Sequence, residues 1–210
     1  MESNLYHYMG KLEIDIQPLI SYLSSTLIPL LEDQEYKNKI VDLSMMPGIP
    51  IWLDTEWQPS KEPTDRGQRF IVPFSYDKKI SLFVLGGRAL YKMFPEVFYF
   101  PKTFSWYEKL KPFEVRPQLV ISDTTTSVHR DFDRSCAINT WLYNTDCSVT
   151  EYYSPVDKTK LAEITYEPGD TYLLDVSQPH RVKHLKPKLR IALSWGYTCS
   201  FQEAISLISK

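Results

Sequence analysis

The sequence predicts a mainly-β fold, a sandwich or barrel of short strands with a helical N-terminal region laid over one face. Three observations carry this. After Arg116 the 210-residue chain falls into eight short strand-like runs: PQLVISD, SVHRDF, CAINTWLYN, SVTEYYS, LAEITYE, TYLLDV, HRVKHL and LRIALSWGY. Turn signals separate them, among them NTD, SPVDKTK and EPGD. The most helical segment, Ile14 to Leu31, comes before them, with Ile16, Leu19, Ile20, Leu23, Leu27, Leu30 and Leu31 at helical spacing and Pro18 and Pro29 trimming its ends.

Between these halves, RFIVPFSY and KISLFVL read as two strands, and GGRALYKMF as a turn with a short helix. Gly86-Gly87 is a turn and not a phosphate loop, because no GxGxxG or P-loop pattern surrounds it. The aromatics from Glu96 to Phe113 read as packing over a sheet in preference to lining a groove. Trp57, Phe100, Trp106 and Tyr107 are the candidates for any substrate lining. His7 is expected in a flexible terminus with no function. No internal repeat or low-complexity tract is present.

Composition narrows the function classes. With 43% hydrophobic and 24% charged residues the chain is of ordinary globular type and long enough to bury a sizeable core. A net charge of -2 gives no electrostatic reason to expect a nucleic-acid partner. The dense basic run KHLKPKLR reads as a solvated hairpin turn. Three cysteines, Cys136, Cys147 and Cys199, leave at least one unpaired, which is not a disulfide framework and favours a reducing, cytoplasmic setting; their spacing forms no CxxC pair, which argues against a thiolate zinc site. The N-terminus does not read as a secretory signal, and no stretch is long and apolar enough to span a membrane.

The chemistry concentrates in SVHRDFDRSCAI. On a strand, residues i and i+2 share a face, so His129 and Asp131 project together and Arg130 turns away. A further histidine, His180, follows a predicted strand and a proline. Two histidines and a carboxylate on one face of an octahedron leave three positions open, the arrangement of non-heme iron(II) sites. His184 shares the strand parity of His180 and competes for the third place; Asp133 is the rival acid. Ten residues after His180 comes Arg190, on a strand whose two faces read as Arg190, Ala192, Ser194, Gly196 and as Leu189, Ile191, Leu193, Trp195. The second set is a core stripe. The first carries a single arginine, which needs an anion if it points inward; a carboxylate ligand would satisfy it with a bidentate pair.

His129-x-Asp131, then His180, then Arg190 is an order similar to that of the iron(II)- and 2-oxoglutarate-dependent dioxygenases. NTWLYN, Asn139 to Asn144, resembles the strand that follows His-x-Asp in prolyl- and aspartyl-hydroxylase-like members. The resemblance covers Gln118 to Tyr197. It implies a double-stranded β-helix (jelly-roll, cupin-like) core over residues 115–200. Residues 1–114 match nothing specific in that family; the element pattern makes them a mixed flanking region whose helices pack on one sheet, the whole forming one compact domain. The resemblance implies Fe(II) held by His129, Asp131 and His180, with 2-oxoglutarate and O2 as cosubstrates. Arg190 would hold the distal carboxylate of 2-oxoglutarate, with Asn139 and Ser194 as further cofactor contacts. The implied reaction is hydroxylation of a small molecule or a protein or peptide side chain, coupled to decarboxylation of 2-oxoglutarate to succinate.

One departure stands out. Several members of that family carry Ser or Thr two residues after the arginine, where this chain has Ala192; a tyrosine from another strand is the candidate substitute. Arg134 reads equally as an ion-pair partner or a substrate contact. Asn139 reads as sharing a face with Ala137, Trp141 and Tyr143, and either bonds the cosubstrate or satisfies backbone groups, the structural role being favoured. The competing readings are a cupin-like metalloenzyme or a non-catalytic metal-binding module that does not use 2-oxoglutarate, and a nucleic-acid demethylase of the same family, ranked below a protein or small-molecule hydroxylase. No nucleic-acid or membrane partner is expected, and the oligomeric state is left open.

Overall fold

The computed structural model describes residues 4–12, 17–22, 24–25, 82–86, 104–122, 125–126, 128–131 and 134–209. Among the described residues are nine strands: β1 (Tyr6–Lys11), β2 (Leu82–Gly86), β3 (Glu114–Ser122), β4 (Cys136–Tyr143), β5 (Ser148–Tyr153), β6 (Lys160–Ile164), β7 (Asp170–Asp175), β8 (His180–His184) and β9 (Arg190–Tyr197). Three α-helices accompany them: α1 (Gln17–Tyr22), α2 (Tyr107–Leu110) and α3 (Phe201–Ile208). None of these helices is long and apolar enough to cross a membrane.

Six strands form one antiparallel sheet in the order β1-β7-β4-β9-β3-β2, and three form a second, β6-β5-β8. From β4 onward the chain passes back and forth between the two sheets, which is the jelly-roll path expected of the core. The edges of the large sheet, β1 and β2, come from the first half of the chain. KISLFVL thus contributes a strand as expected; Gly86, read as part of a turn, is the last residue of β2, and RFIVPFSY and residues 87–94 lie outside the described residues.

Period-2 alternation sorts side chains to the two faces of the large sheet. On its outer face Ile138, Leu173, Ile191, Leu193 and Trp195 join Leu19 of α1, Leu110 of α2 and Phe201 and Ala204 of α3 in one apolar cluster. Ile191 and Leu193 are fully buried, each contributing about 2 kcal/mol of transfer free energy. On the inner face Ala137, Trp141, Leu174 and Ala192 meet Tyr152 and Ile164 of the small sheet. The two faces read from LRIALSWGY are therefore those observed.

Several expectations need correction. His7 is not in a free terminus: it lies in β1, opposite Leu173. Trp106 and Tyr107 do not line a groove: both are buried in the outer-face cluster, where α2 packs on α3. Trp57 and Phe100 lie outside the described residues. SVHRDF does not form a regular strand: its described residues contribute one isolated bridge, His129 opposite His180. Tyr143 does not share the face of Asn139 and Trp141, because the pairing of β4 with β9 shifts between Trp141 and Tyr143 and turns Tyr143 to the outer-face cluster. Helix α3, which the strand-centred reading passed over, starts at Ser200, whose Oγ accepts from the Glu203 N–H at 3.2 Å.

Candidate metal centre

The site lies between the sheets, where Thr125, Thr126 and His129 bond to β8. The Thr126 N–H bonds to the Val182 carbonyl, His129 and His180 exchange both backbone hydrogen bonds, and the Asp131 N–H reaches the Val176 carbonyl. Directly opposed residues of an antiparallel pair point to the same side. Both imidazoles therefore project into the same space, with ring centroids 4.5 Å apart. The ligand atoms of His129, Asp131 and His180 all lie within 4.8 Å of one another, a group able to hold a metal ion.

Each donor is prepared by its neighbours. His180 is 7% exposed. Its Nδ1 lies 2.9 Å from the Gln178 carbonyl oxygen. A carbonyl only accepts, so Nδ1 carries the proton and Nε2 of the neutral ring keeps its lone pair. Burial, aided by His129 and Arg134, holds the His180 imidazole below its ordinary value against the opposing pull of Gln178 and Asp131, which favours the neutral, ligating form. Asp131 divides its two oxygens: Oδ1 lies 3.6 Å from His129 Nε2, and Oδ2 accepts from Arg134 Nε at 2.5 Å.

His184 sits in β8 opposite Ser148 and is not part of this group. It shares the parity of His180, but four residues along a strand is about 13 Å, too far for one ion. Asp133 lies outside the described residues. Arg134 resolves toward the ion-pair reading, bonded to Asp131 and, through Nη1, to Ser194 Oγ at 3.1 Å.

A cavity of about 160 Å3 opens beside the donors. The small sheet supplies Thr150 and Val182; the large sheet supplies Gln118 and Val120 from β3, Asn139 and Trp141 from β4, and Arg190, Ala192 and Ser194 from β9. Arg190 is 5% exposed, and its Nε has no hydrogen-bond partner among the described residues. Burial lowers the affinity of this guanidinium for its proton, with Tyr166 and Cys147 opposing, yet an arginine keeps its charge. Asn139 Oδ1 and Trp141 Nε1 are likewise buried without partners. His129, Asp131, His180, Asn139, Arg190 and Ser194 thus border one cavity, and the expected substrate-lining Trp106 and Tyr107 do not. Gln118, Thr126 and Trp141 also line the cavity, with Tyr166 stacked behind Trp141 at 3.5 Å between ring centroids; their types are common, and nothing in the local sequence marks them. The three cysteines are all buried and free.

No family model matches the chain, and no curated protein matches it. Solved structures show distant likenesses. An oxidoreductase of the 2OG-Fe(II) oxygenase family from Burkholderia pseudomallei is 17% identical, over 41% of this chain and 44% of that one, at a TM-score of 0.36. SnoK, a non-heme alpha-ketoglutarate-dependent carbocyclase of nogalamycin biosynthesis, is 10% identical over 55% and 62%, at 0.42. Oxalate decarboxylase of Bacillus subtilis, with Mn(II) centres, is 9% identical over 56% and 26%, at 0.35. The matched regions span less than two thirds of each of these proteins. Likenesses at this level decide nothing about activity, and the assignment of the site stands on its geometry.

Proposed function

We propose that this chain is an Fe(II)- and 2-oxoglutarate-dependent dioxygenase that hydroxylates a small molecule or a protein side chain. One observation supports this above others: the convergent donors His129, Asp131 and His180 share a cavity with the buried Arg190, whose Nε is unpartnered among the described residues. A buried guanidinium without an anion is costly. The donor set fits a first-row divalent metal with open positions, and Arg190 fits a ligand with a carboxylate at its far end.

In this reading His180 Nε2, His129 and Asp131 Oδ1 hold the metal. Arg190 binds the distal carboxylate of 2-oxoglutarate through two N–H groups. Tyr166, buried and stacked on the cavity-lining Trp141, is the candidate for the hydroxyl that Ala192 lacks. Asn139 and Ser194 orient the middle of the cosubstrate from β4 and β9, where they pair directly. Val120, Val176, Val182 and Ala192 exclude water from the walls. The bound metal and cosubstrate supply the oxidative decarboxylation to succinate that drives hydroxylation. The residues of this chain supply orientation and a dry, charged pocket.

Calorimetric titration of the Mn(II)-loaded protein with 2-oxoglutarate tests the reading. Saturable binding, weakened at least about tenfold in Arg190→Met, a loss of ~1.4 kcal/mol, is the expected result. Metal binding with no response to 2-oxoglutarate would favour the cupin-like alternative, which Ala192 leaves open.

A further inference from the structure

Building on the metal reading, we infer that Arg134 is a positioning residue that restricts Asp131 to ligation through one oxygen, and that Gly196 is what allows it to lie there. Arg134 follows Asp131 by three residues and turns back onto it. Its Nε donates to Asp131 Oδ2 at 2.5 Å and its Nη1 to Ser194 Oγ at 3.1 Å. A guanidinium is a planar fork, so two contacts to different segments fix its plane. The oxygen left over, Oδ1, is the one 3.6 Å from His129 Nε2.

Gly196 completes the device. Its backbone does not demand glycine: the positive-φ glycines among the described residues are Gly10 and Gly169. It lies inside β9, where glycine weakens a strand and marks a close approach. What approaches is Arg134: a Cβ at position 196 would stand 2.6 Å from Arg134 Cδ and 3.4 Å from its Cβ. The face of β9 that reads Arg190, Ala192, Ser194, Gly196 therefore ends in a slot for the arginine stem. Any larger side chain there pushes Arg134 off Asp131.

The consequence concerns coordination number. A carboxylate binds metal through one oxygen or two. Two would occupy a fourth position of the octahedron and leave too few for a bidentate cosubstrate and a further small molecule. Arg134 removes that option.

The test uses the full chain with Mn(II), counting exchangeable metal-bound waters by water-proton and oxygen-17 relaxation. Three protein donors predict about three waters in the wild type. Arg134→Ala frees Asp131 Oδ2 and lowers the count to about two. Gly196→Ala gives the same fall with every donor and the arginine still present, and the double variant falls no further, because both act through one contact. Arg134→Lys keeps the charge but cannot fork, and it does not restore the count; this variant carries the test if Gly196→Ala does not fold. An unchanged water count in Arg134→Ala and Arg134→Lys overturns the inference, even if the apo protein melts lower, because that shows a structural role alone. A wild type that binds no Mn(II) overturns the metal reading instead.

Discussion

His129 and His180 exchange both backbone hydrogen bonds, 2.9 Å in each direction, although His129 belongs to no regular strand. That single bridge brings two imidazoles separated by fifty residues of chain to one side of the small sheet. Replacing either ring with alanine leaves the bridge intact, since the bridge is made by the main chain. His129→Ala and His180→Ala are therefore expected to fold. Each is expected to lose more metal affinity than the roughly 100-fold caused by removing a supporting contact. Zn(II) or Mn(II) titration of the purified variants, with circular dichroism as the folding check, measures both.

The two faces of β9 predict opposite phenotypes for adjacent residues. Leu193 is fully buried in the outer-face cluster, and Leu193→Ala should lower stability by about 2–5 kcal/mol. Ser194 points to the cavity and accepts one bond from Arg134. Ser194→Ala should cost at most about 1 kcal/mol and should act on cosubstrate affinity. Urea unfolding of the two variants, with 2-oxoglutarate titration of the second, separates the effects.

Acid stability is expected to depend on Glu151, on the outer face of β5. The carboxylate is 2% exposed and accepts from Arg181 Nε and Tyr153 Oη, both at 2.6 Å, with Lys183 and Lys160 nearby. Burial alone would raise its pKa; the bonds from Tyr153 and Arg181 outweigh burial and bring it to about 2. A lowered folded-state pKa contributes stability fully present above the unfolded value of about 4.3 and lost as pH falls through the folded value. Glu151→Gln should thus be less stable than wild type at pH 6–7, by an amount between the ~0.5 kcal/mol of an exposed pair and the ~3 kcal/mol of a buried one. The gap should close as the pH approaches about 2. Thermal melts of both proteins across that range give the comparison.

The parts of this fold that repeat at short range were legible in the sequence. Leu189, Ile191, Leu193 and Trp195 declare one face of β9 by alternation alone, and that left Arg190 pointing inward and in need of an anion. His129 and Asp131 were legible by spacing, although the strand assumed for them is only a bridge; an extended segment pinned at both residues has the same parity. Features that depend on distant chain were not legible. β1 mixes tyrosine, histidine and glycine and carries no pattern of its own; β7 orders it by pairing. Trp106 and Tyr107 are core because α3 lies beside them. The signal for α3 was present: Ser200 followed by Glu203 is a helix-start pattern. The slot at Gly196 could not be read, because a glycine in a strand does not say which side chain fills the missing Cβ.

In the proposed site one cavity holds both a metal and a 2-oxoacid. Anaerobic titration of the protein with Fe(II) and 2-oxoglutarate, watched for the weak visible metal-to-ligand band, tests it most directly. A band in the wild type that is lost in His180→Ala and weakened in Arg190→Ala is the expected result. Fe(II) bound tightly with no band on saturation with 2-oxoglutarate would contradict it.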